Sequence, residues 1–110
     1  MSVEAEPLDL WRRYRAGTLR LRDTAEYHAW RNMRQRCRSM HPVYYRAYRG
    51  RGIVVAPEFE NFWTFLFHVG RKPSQWHSLD RRDNDRDYEY FNLRWSTGSE
   101  QAGNRRRRAA

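Results

Sequence analysis

The stretch from His77 to Gln101 gathers Asp80, Asp83, Asp85 and Asp87 in a chain that is otherwise strongly basic. Arg81, Arg82 and Arg86 alternate with them, and NLRWST follows at 92–97. Carboxylates kept in a cationic protein are ion-paired, engaged with backbone, or holding a cation. Asp and Asn close turns through their own backbone. That accounts for Asp83, Asn84, Asp85 and Asp87, with Arg neighbours neutralising them. A calcium loop fits poorly. Counted from Asp83, Tyr88 falls where such a loop turns on Gly, and Arg94 falls where it needs Glu. Asp80 differs from the rest. It ends an expected strand before two arginines, where one carboxylate can serve a metal ion that polarises a phosphodiester.

The elements that must hold Asp80 are legible around it. HSLDR at 77–81 reads as a strand and NLRWS at 92–96 as a second. Leu93 and Trp95 fall on one face of the second strand, Asn92 and Arg94 on the other. TGSE at 97–100 has capping-box spacing and opens a last helix through EQAGNRRRR. The C-terminal third therefore reads strand, loop, strand, helix.

Upstream, EPLDLWRRYRAG at 6–17 predicts a short helix, with Pro7 in its first turn, Gly17 past its end, and Leu10, Trp11 and Tyr14 apolar. TLRLRD at 18–23 reads as an extended connector. DTAEYHAWRNMRQRCRSM at 23–40 is the clearest helix. Asp23 and Glu26 have capping-box spacing, and Tyr27, Trp30, Met33 and Cys37 face one way. HPVYYRAYRGRG at 41–52 reads as a loop, with Gly50 and Gly52 allowing tight turns, and IVV at 53–55 as a short strand. PEFENFWTFLFHVG at 57–70 predicts one further helix with an aromatic core face. His28 and His68 fall on helices and read as structural.

Composition bounds the partner. The chain has 110 residues and a net charge of +9, with 21 Arg and a single Lys, Lys72. A field that strong on one small domain points to a polyanion, and Arg suits phosphate and base edges. Arg-rich base composition is the bland alternative. DNA is expected rather than a membrane surface, since no apolar run approaches about 20 residues and no signal peptide or lipidation signal opens the chain. Cys37 is the only cysteine, so no internal disulfide and no CxxC zinc site is expected. The expected compartment is the bacterial cytoplasm, a phage-encoded protein included. Arg49, Arg51, Arg94 and the run Arg105, Arg106, Arg107 and Arg108 are the leading phosphate contacts. A solubilising tail is the plainer reading of that run.

SLDRRDNDRDYEYFNLRWSTGSEQAGNRR at 78–106 resembles the ββα-metal core of the HNH, or His-Me finger, endonucleases. In that family an Asp-His pair ends the first strand, an Asn opens the second, and a His or Asn follows nine residues later on the helix. The matching residues here are Asp80-Arg81, Asn92 and Gln101. AWRNMRQRC at 29–37, YRGRGI at 48–53, GRKP at 70–73 and EQAGN at 100–104 match a small phage and bacterial subgroup in order. The Asp-Arg variant of the pair is shared with a rare-cutting restriction enzyme. Arg82, Arg86 and the segment EYF depart from the subgroup pattern.

The resemblance implies an α+β fold with N-terminal helices packed on a C-terminal ββα-metal module. At 110 residues the chain is expected to be one domain, 1–110, divided into 1–22, 23–76 and 77–108. The implied activity is a metal-dependent DNA endonuclease or nickase. The alternative is a DNA-binding protein that keeps the fold without turnover. Asp80 and Gln101 would hold one divalent ion, Mg²⁺ or else Mn²⁺, with no small-molecule cofactor. Asn92 would fix the loop. Arg81 stays protonated and takes no proton, so it would hold a phosphate oxygen or the attacking water, with Tyr48 as the helper. Tyr44, Tyr45, His77 and His41 are rivals of Tyr48.

Overall fold

The computed structural model describes the backbone of residues 6–109 and the side chains of residues 6–103. The described chain is mixed α and β: five α-helices and one two-stranded antiparallel sheet. The helices are α1 (Pro7–Arg15), α2 (Ala25–Arg38), α3 (Pro42–Ala47), α4 (Phe62–Val69) and α5 (Gly98–Ala109), with β1 (His77–Arg81) and β2 (Leu93–Thr97) between α4 and α5. Among the described residues no helix is long and apolar enough to cross a membrane.

Local chemistry sets most of these boundaries. The α2 helix opens on Thr24, whose Oγ1 accepts the Tyr27 N–H at 3.2 Å. The expected Asp23–Glu26 capping box does not form. Asp23 instead accepts from Arg20, and Glu26 is buried against Arg71 and Lys72. At α5 the box does form: Thr97 N donates to Glu100 Oε1 at 2.9 Å and Glu100 N donates to Thr97 Oγ1 at 3.4 Å.

Four expectations need correction. Residues 41–52 are not all loop. Pro42 at the first turn, with His41 Nδ1 accepting the Val43 N–H, starts the short α3 helix. Residues 53–55 form no strand; Val55 makes a single parallel bridge to Tyr88, because no extended neighbour runs alongside. The connector at 18–23 closes into a 3₁₀ turn at Leu21–Asp23. The helix expected over 57–70 is two pieces. A 3₁₀ turn at Pro57–Glu60 ends at extended Asn61, whose Oδ1 accepts the N–H groups of Trp63 and Thr64 and so caps α4.

The buried cluster runs from Leu10 of α1 through Trp30 and Met33 of α2 and the α4 aromatics to Leu79 and Leu93 of the hairpin. Two indoles tie its layers: Trp30 Nε1 donates to Phe59 O at 2.7 Å, and Trp95 Nε1 to Gly70 O at 3.0 Å. Both satisfy a polar atom that burial would otherwise penalise.

Glu26 pins the loop that leads into β1. Its Oε2 accepts from Arg71 Nε at 3.0 Å and Lys72 N at 2.9 Å. Burial alone pushes this carboxyl's pKa up, but the Lys72 N–H, the Arg71 guanidinium and its own backbone N–H outweigh that and hold it below the usual value. Stability from a depressed carboxyl is complete above its unfolded pKa, about 4.3, and is lost as pH falls through the folded pKa. Glu26→Gln is expected to cost about 2 kcal/mol at pH 7. Its urea midpoint should approach that of the wild type as pH falls below about 4.

Candidate functional site

The hairpin register pairs Ser78 with Ser96 and Asp80 with Arg94 on one face, and Leu79 with Trp95 and Arg81 with Leu93 on the other. Side chains alternate along a strand, so the adjacent Asp80 and Arg81 point to opposite sides of β1. Each side carries its own polar cluster.

The Asp80 side faces α5. Asp80 Oδ2 accepts from Arg94 Nε and Ser96 Oγ, each at 3.2 Å, and lies 3.2 Å from Arg94 Nη2 in an ion pair. Its Oδ1 has no hydrogen-bond partner among the described residues. Gln101, on the first turns of α5, reaches the neighbouring pair: its Nε2 donates to Ser78 Oγ at 2.6 Å and lies 3.5 Å from Ser96 O. The face thus offers a carboxylate, two hydroxyls and an amide, all oxygen donors once the amide is turned. That set suits a hard cation, which keeps several of its own waters when only one carboxylate is present. Among the described residues no three His, Cys, Asp or Glu side chains converge.

The Arg81 side is buried. Arg81 is 5% exposed, and its guanidinium is spent on the acidic loop. Nη1 donates to Asn84 O at 2.7 Å and Arg86 O at 2.9 Å, and Nη2 donates to Asn84 Oδ1 at 2.7 Å. Its Cζ lies 5.4 Å from the Tyr48 ring centroid and 5.2 Å from that of Tyr88, and those two rings stack. Arg36 approaches from α2, with Nη1 3.4 Å from Tyr88 Oη. Burial pushes the Tyr88 phenol up to about 12, and Tyr48 adds to this, against the pull of Arg36 and Arg81. The structure therefore places Tyr48 against Arg81, behind the strand rather than beside the Asp80 carboxylate.

Asn92 holds the loop that joins the strands. Its Nδ2 donates to Asp83 O and Asp87 O at 3.1 and 2.7 Å, and its Oδ1 accepts the Asp83 N–H at 2.8 Å. The loop aspartates are used internally. Asp83 Oδ1 accepts the Asp85 N–H, Asp85 pairs with Arg51, and Asp87 Oδ1 accepts the Val54 N–H. The turn reading thus describes Asp83, while Asp85 and Asp87 find partners in the 51–54 segment more than 30 residues away.

The basic residues divide. Arg51 also donates to Asn84 O, so it ties the GRG segment to the acidic loop. That segment needs its glycines: a Cβ on Gly50 would sit 2.8 Å from Tyr45 O, and Gly52 has φ +79°. Arg49 is exposed, touching Met40 Sδ. Arg94 is paired with Asp80. The side chains of Arg105, Arg106, Arg107 and Arg108 lie outside the described residues. Of the rivals to Tyr48, Tyr44 and His41 line a cleft with Arg36 to which no hairpin residue contributes, and Tyr45 packs on Gly50. His77 bonds Ser74 Oγ at the end of β1 remote from the loop.

Sequence reasoning assigned no role to Ser78, Ser96 or Tyr88, and read Arg36 only as part of the charged face of the 23–40 helix. Strand alternation was the signal for the serines, since both share parity with Asp80 or its partner. Nothing local marks Arg36 or Tyr88, whose meeting spans 52 residues. Cys37 lies near this buried cluster. Burial pushes its thiol up to about 11, against the pull of Arg81 and Arg36. Alkylation at pH 8 is expected to run on the order of 100-fold slower than in the urea-unfolded chain, as followed by mass spectrometry.

No protein-family model, curated protein or solved structure matches this chain.

Proposed function

We propose that the chain is a metal-dependent DNA endonuclease or nickase of the HNH type, with Asp80 as its charged metal ligand. One observation carries the reading. Asp80 bonds neither the acidic loop nor the 51–54 segment that take up Asp83, Asp85 and Asp87; its partners are Arg94 and Ser96, and it lies on the hairpin face that Gln101 of α5 reaches. Asp80 and Gln101 would hold a divalent ion, Mg²⁺ or Mn²⁺. When bound, the ion supplies Lewis-acid stabilisation of charge on the scissile phosphate.

The chain's own residues do the rest. Ser96 fixes the Asp80 carboxylate through Oδ2. With a cation at Asp80, Arg94 would be free to hold a phosphate oxygen of the DNA. Arg81 and Asn92 lock the loop, so the strand end that presents Asp80 is rigid. Tyr48 lies behind this face, and on this geometry proton transfer from the attacking water goes to solvent. The net charge of +9 supplies electrostatic attraction to the duplex.

A second reading is favoured by the double engagement of Asp80 Oδ2. A carboxylate already neutralised by Arg94 fits a DNA-binding module without turnover. Supercoiled plasmid incubated with Mg²⁺ or Mn²⁺, beside an EDTA control and Asp80→Ala, separates the two. Metal-dependent nicking that Asp80→Ala loses supports the endonuclease. Intact plasmid throughout, with salt-sensitive duplex binding that Asp80→Ala leaves unchanged, rejects the endonuclease in favour of the binding module.

A further inference from the structure

The arginines are not spread evenly along the chain. Between Tyr27 and Pro57 there are seven Arg and no Asp or Glu. Distant acids reach three of them: Glu60 pairs with Arg34 and Arg38, and Asp85 pairs with Arg51. Arg31, Arg36, Arg46 and Arg49 form no ion pair among the described residues. Arg36 differs from the other three, because it is half-buried while they are exposed. Its Nη1 lies 3.4 Å from Tyr88 Oη, and Tyr48 adjoins it. The Tyr88 phenol, pushed up to about 12 by burial, stays protonated at neutral pH and leaves the guanidinium charge uncompensated. A charge held partly out of water without a counter-charge is costly, and an incoming anion removes that cost.

Beside Arg36 lies a cleft between α2 and α3 of about 430 Å³, within the roughly 300–1,000 Å³ of small-ligand sites. Its other lining residues are Asn32, Gln35, Ser39, His41 and Tyr44, with no carboxylate among them. Their amides and hydroxyls can donate to phosphate oxygens or to the edge of a base. His41 Nδ1 accepts the Val43 N–H, so Nε2 is the donor of that ring. Tyr44 is tilted on His41 at 5.8 Å and is 46% exposed, which leaves much of its ring open to a stacking partner. Arg46 donates to Pro42 O and Arg49 reaches Met40 Sδ, so both lie against the turn that joins α2 to α3 at the edge of the cleft.

We propose that the α2–α3 cleft takes one nucleotide unit of a single nucleic-acid strand, with its phosphate on Arg36 and its base on Tyr44. This rests on the reading that the chain binds DNA, but it uses no atom of the Asp80 face. Unpaired arginines spaced over α2, α3 and the residue pair that follows match a polymer charged at every unit better than one acidic side chain. A cationic groove with aromatic platforms holds single strands without reading their sequence. The amides of Asn32 and Gln35 suit a base edge, which a lipid headgroup or an acidic peptide lacks. A duplex is too wide to enter a cleft of this size, whereas an unpaired nucleotide fits.

Fluorescence anisotropy with a short labelled oligothymidylate, in EDTA, reads this cleft apart from any metal chemistry. Gln35 and Tyr44 are exposed, so their variants keep the fold. Gln35→Glu places a carboxylate beside Arg36 and is expected to weaken binding by about tenfold or more. The same charge change at Gln75, exposed before β1 and outside the cleft, should weaken it by less than about threefold. Tyr44→Ala should weaken binding about tenfold, and Tyr44→Trp should hold it near wild type. Gln35→Glu no weaker than Gln75→Glu, or Tyr44→Ala equal to wild type, overturns the cleft. So does a wild type that binds duplex, or nicks plasmid with metal, yet takes up no single strand; DNA binding then stands. A wild type that binds neither form removes both readings. Binding to phosphatidylglycerol vesicles that Gln35→Glu abolishes, with no oligonucleotide bound, would make the cleft a lipid-headgroup site and overturn the proposal.

Discussion

Asp80→Ala is expected to slow metal-dependent plasmid nicking by a factor on the order of 1,000, with the fold preserved. The face that Asp80 shares with Gln101 contains one carboxylate, and its other donors are the hydroxyls of Ser78 and Ser96 and the Gln101 amide. Neutral oxygens alone hold a hard divalent ion weakly. Losing about 4 kcal/mol of transition-state stabilisation corresponds to that factor. The structural cost should be small. Asp80 and Arg94 keep 20% and 22% side-chain exposure, so the freed guanidinium can turn to water. A loss of about 1 kcal/mol would lower the thermal midpoint by about 4–8 °C. Asp80→Asn keeps the size and the Ser96 hydrogen bond while removing the charge. It should lose nicking almost as fully, which separates the charge from the shape. An Asp80→Ala protein that nicks at the wild-type rate in Mg²⁺ would dispose of the metal role.

Arg81→Met is expected to lower unfolding stability by about 3 kcal/mol, a large share of the 5–15 kcal/mol typical of a domain. The substitution keeps much of the apolar stem but removes three donated hydrogen bonds, to Asn84 O, Arg86 O and Asn84 Oδ1. It also removes the cation from the faces of Tyr48 and Tyr88. Asn84 O keeps its donor from Arg51, while Asn84 Oδ1 and Arg86 O lose the one that Arg81 supplies. Arg81→Lys retains the charge but not the planar fork, so it should recover only part of the loss. Urea unfolding followed by tryptophan fluorescence measures all three proteins, and an unchanged midpoint in Arg81→Met would show that the loop does not depend on the guanidinium. The same variant bears on function. An Arg that acts by clamping its loop should, on removal, reduce nicking in step with the fraction of loop that opens. An Arg that touches phosphate should reduce it in a fully folded protein.

The contrast between Asp80 and Arg81 shows what each level of description decides. Alternation with period two put the neighbours on opposite sides of β1, and the sequence contained that fact once the strand was recognised. Which side would be water and which core depended on partners far along the chain: Tyr48 and Arg36 on one side, Gln101 of α5 on the other. The same division runs through the fold. The amphipathic α2, the Thr97–Glu100 box and the hairpin strands were legible because their determinants lie within four residues or follow a regular period. The α3 helix, where Pro42 and His41 supply the first turn, was hidden beneath a run of Tyr, Arg and Gly that reads as loop. Asp23 and Glu26 had the right spacing for a cap, yet Glu26 was drawn to Arg71 and Lys72, over 40 residues away. A local motif offers a side chain one partner; burial decides between that partner and a distant one, because a buried carboxylate gains most from whichever donors share its low-dielectric surroundings. The sequence by itself determined the elements whose signals are local or periodic, the charge and the identity of the polar groups. Tertiary packing decided which of those groups face solvent together, since that choice is made by contacts whose sequence separation leaves no local trace.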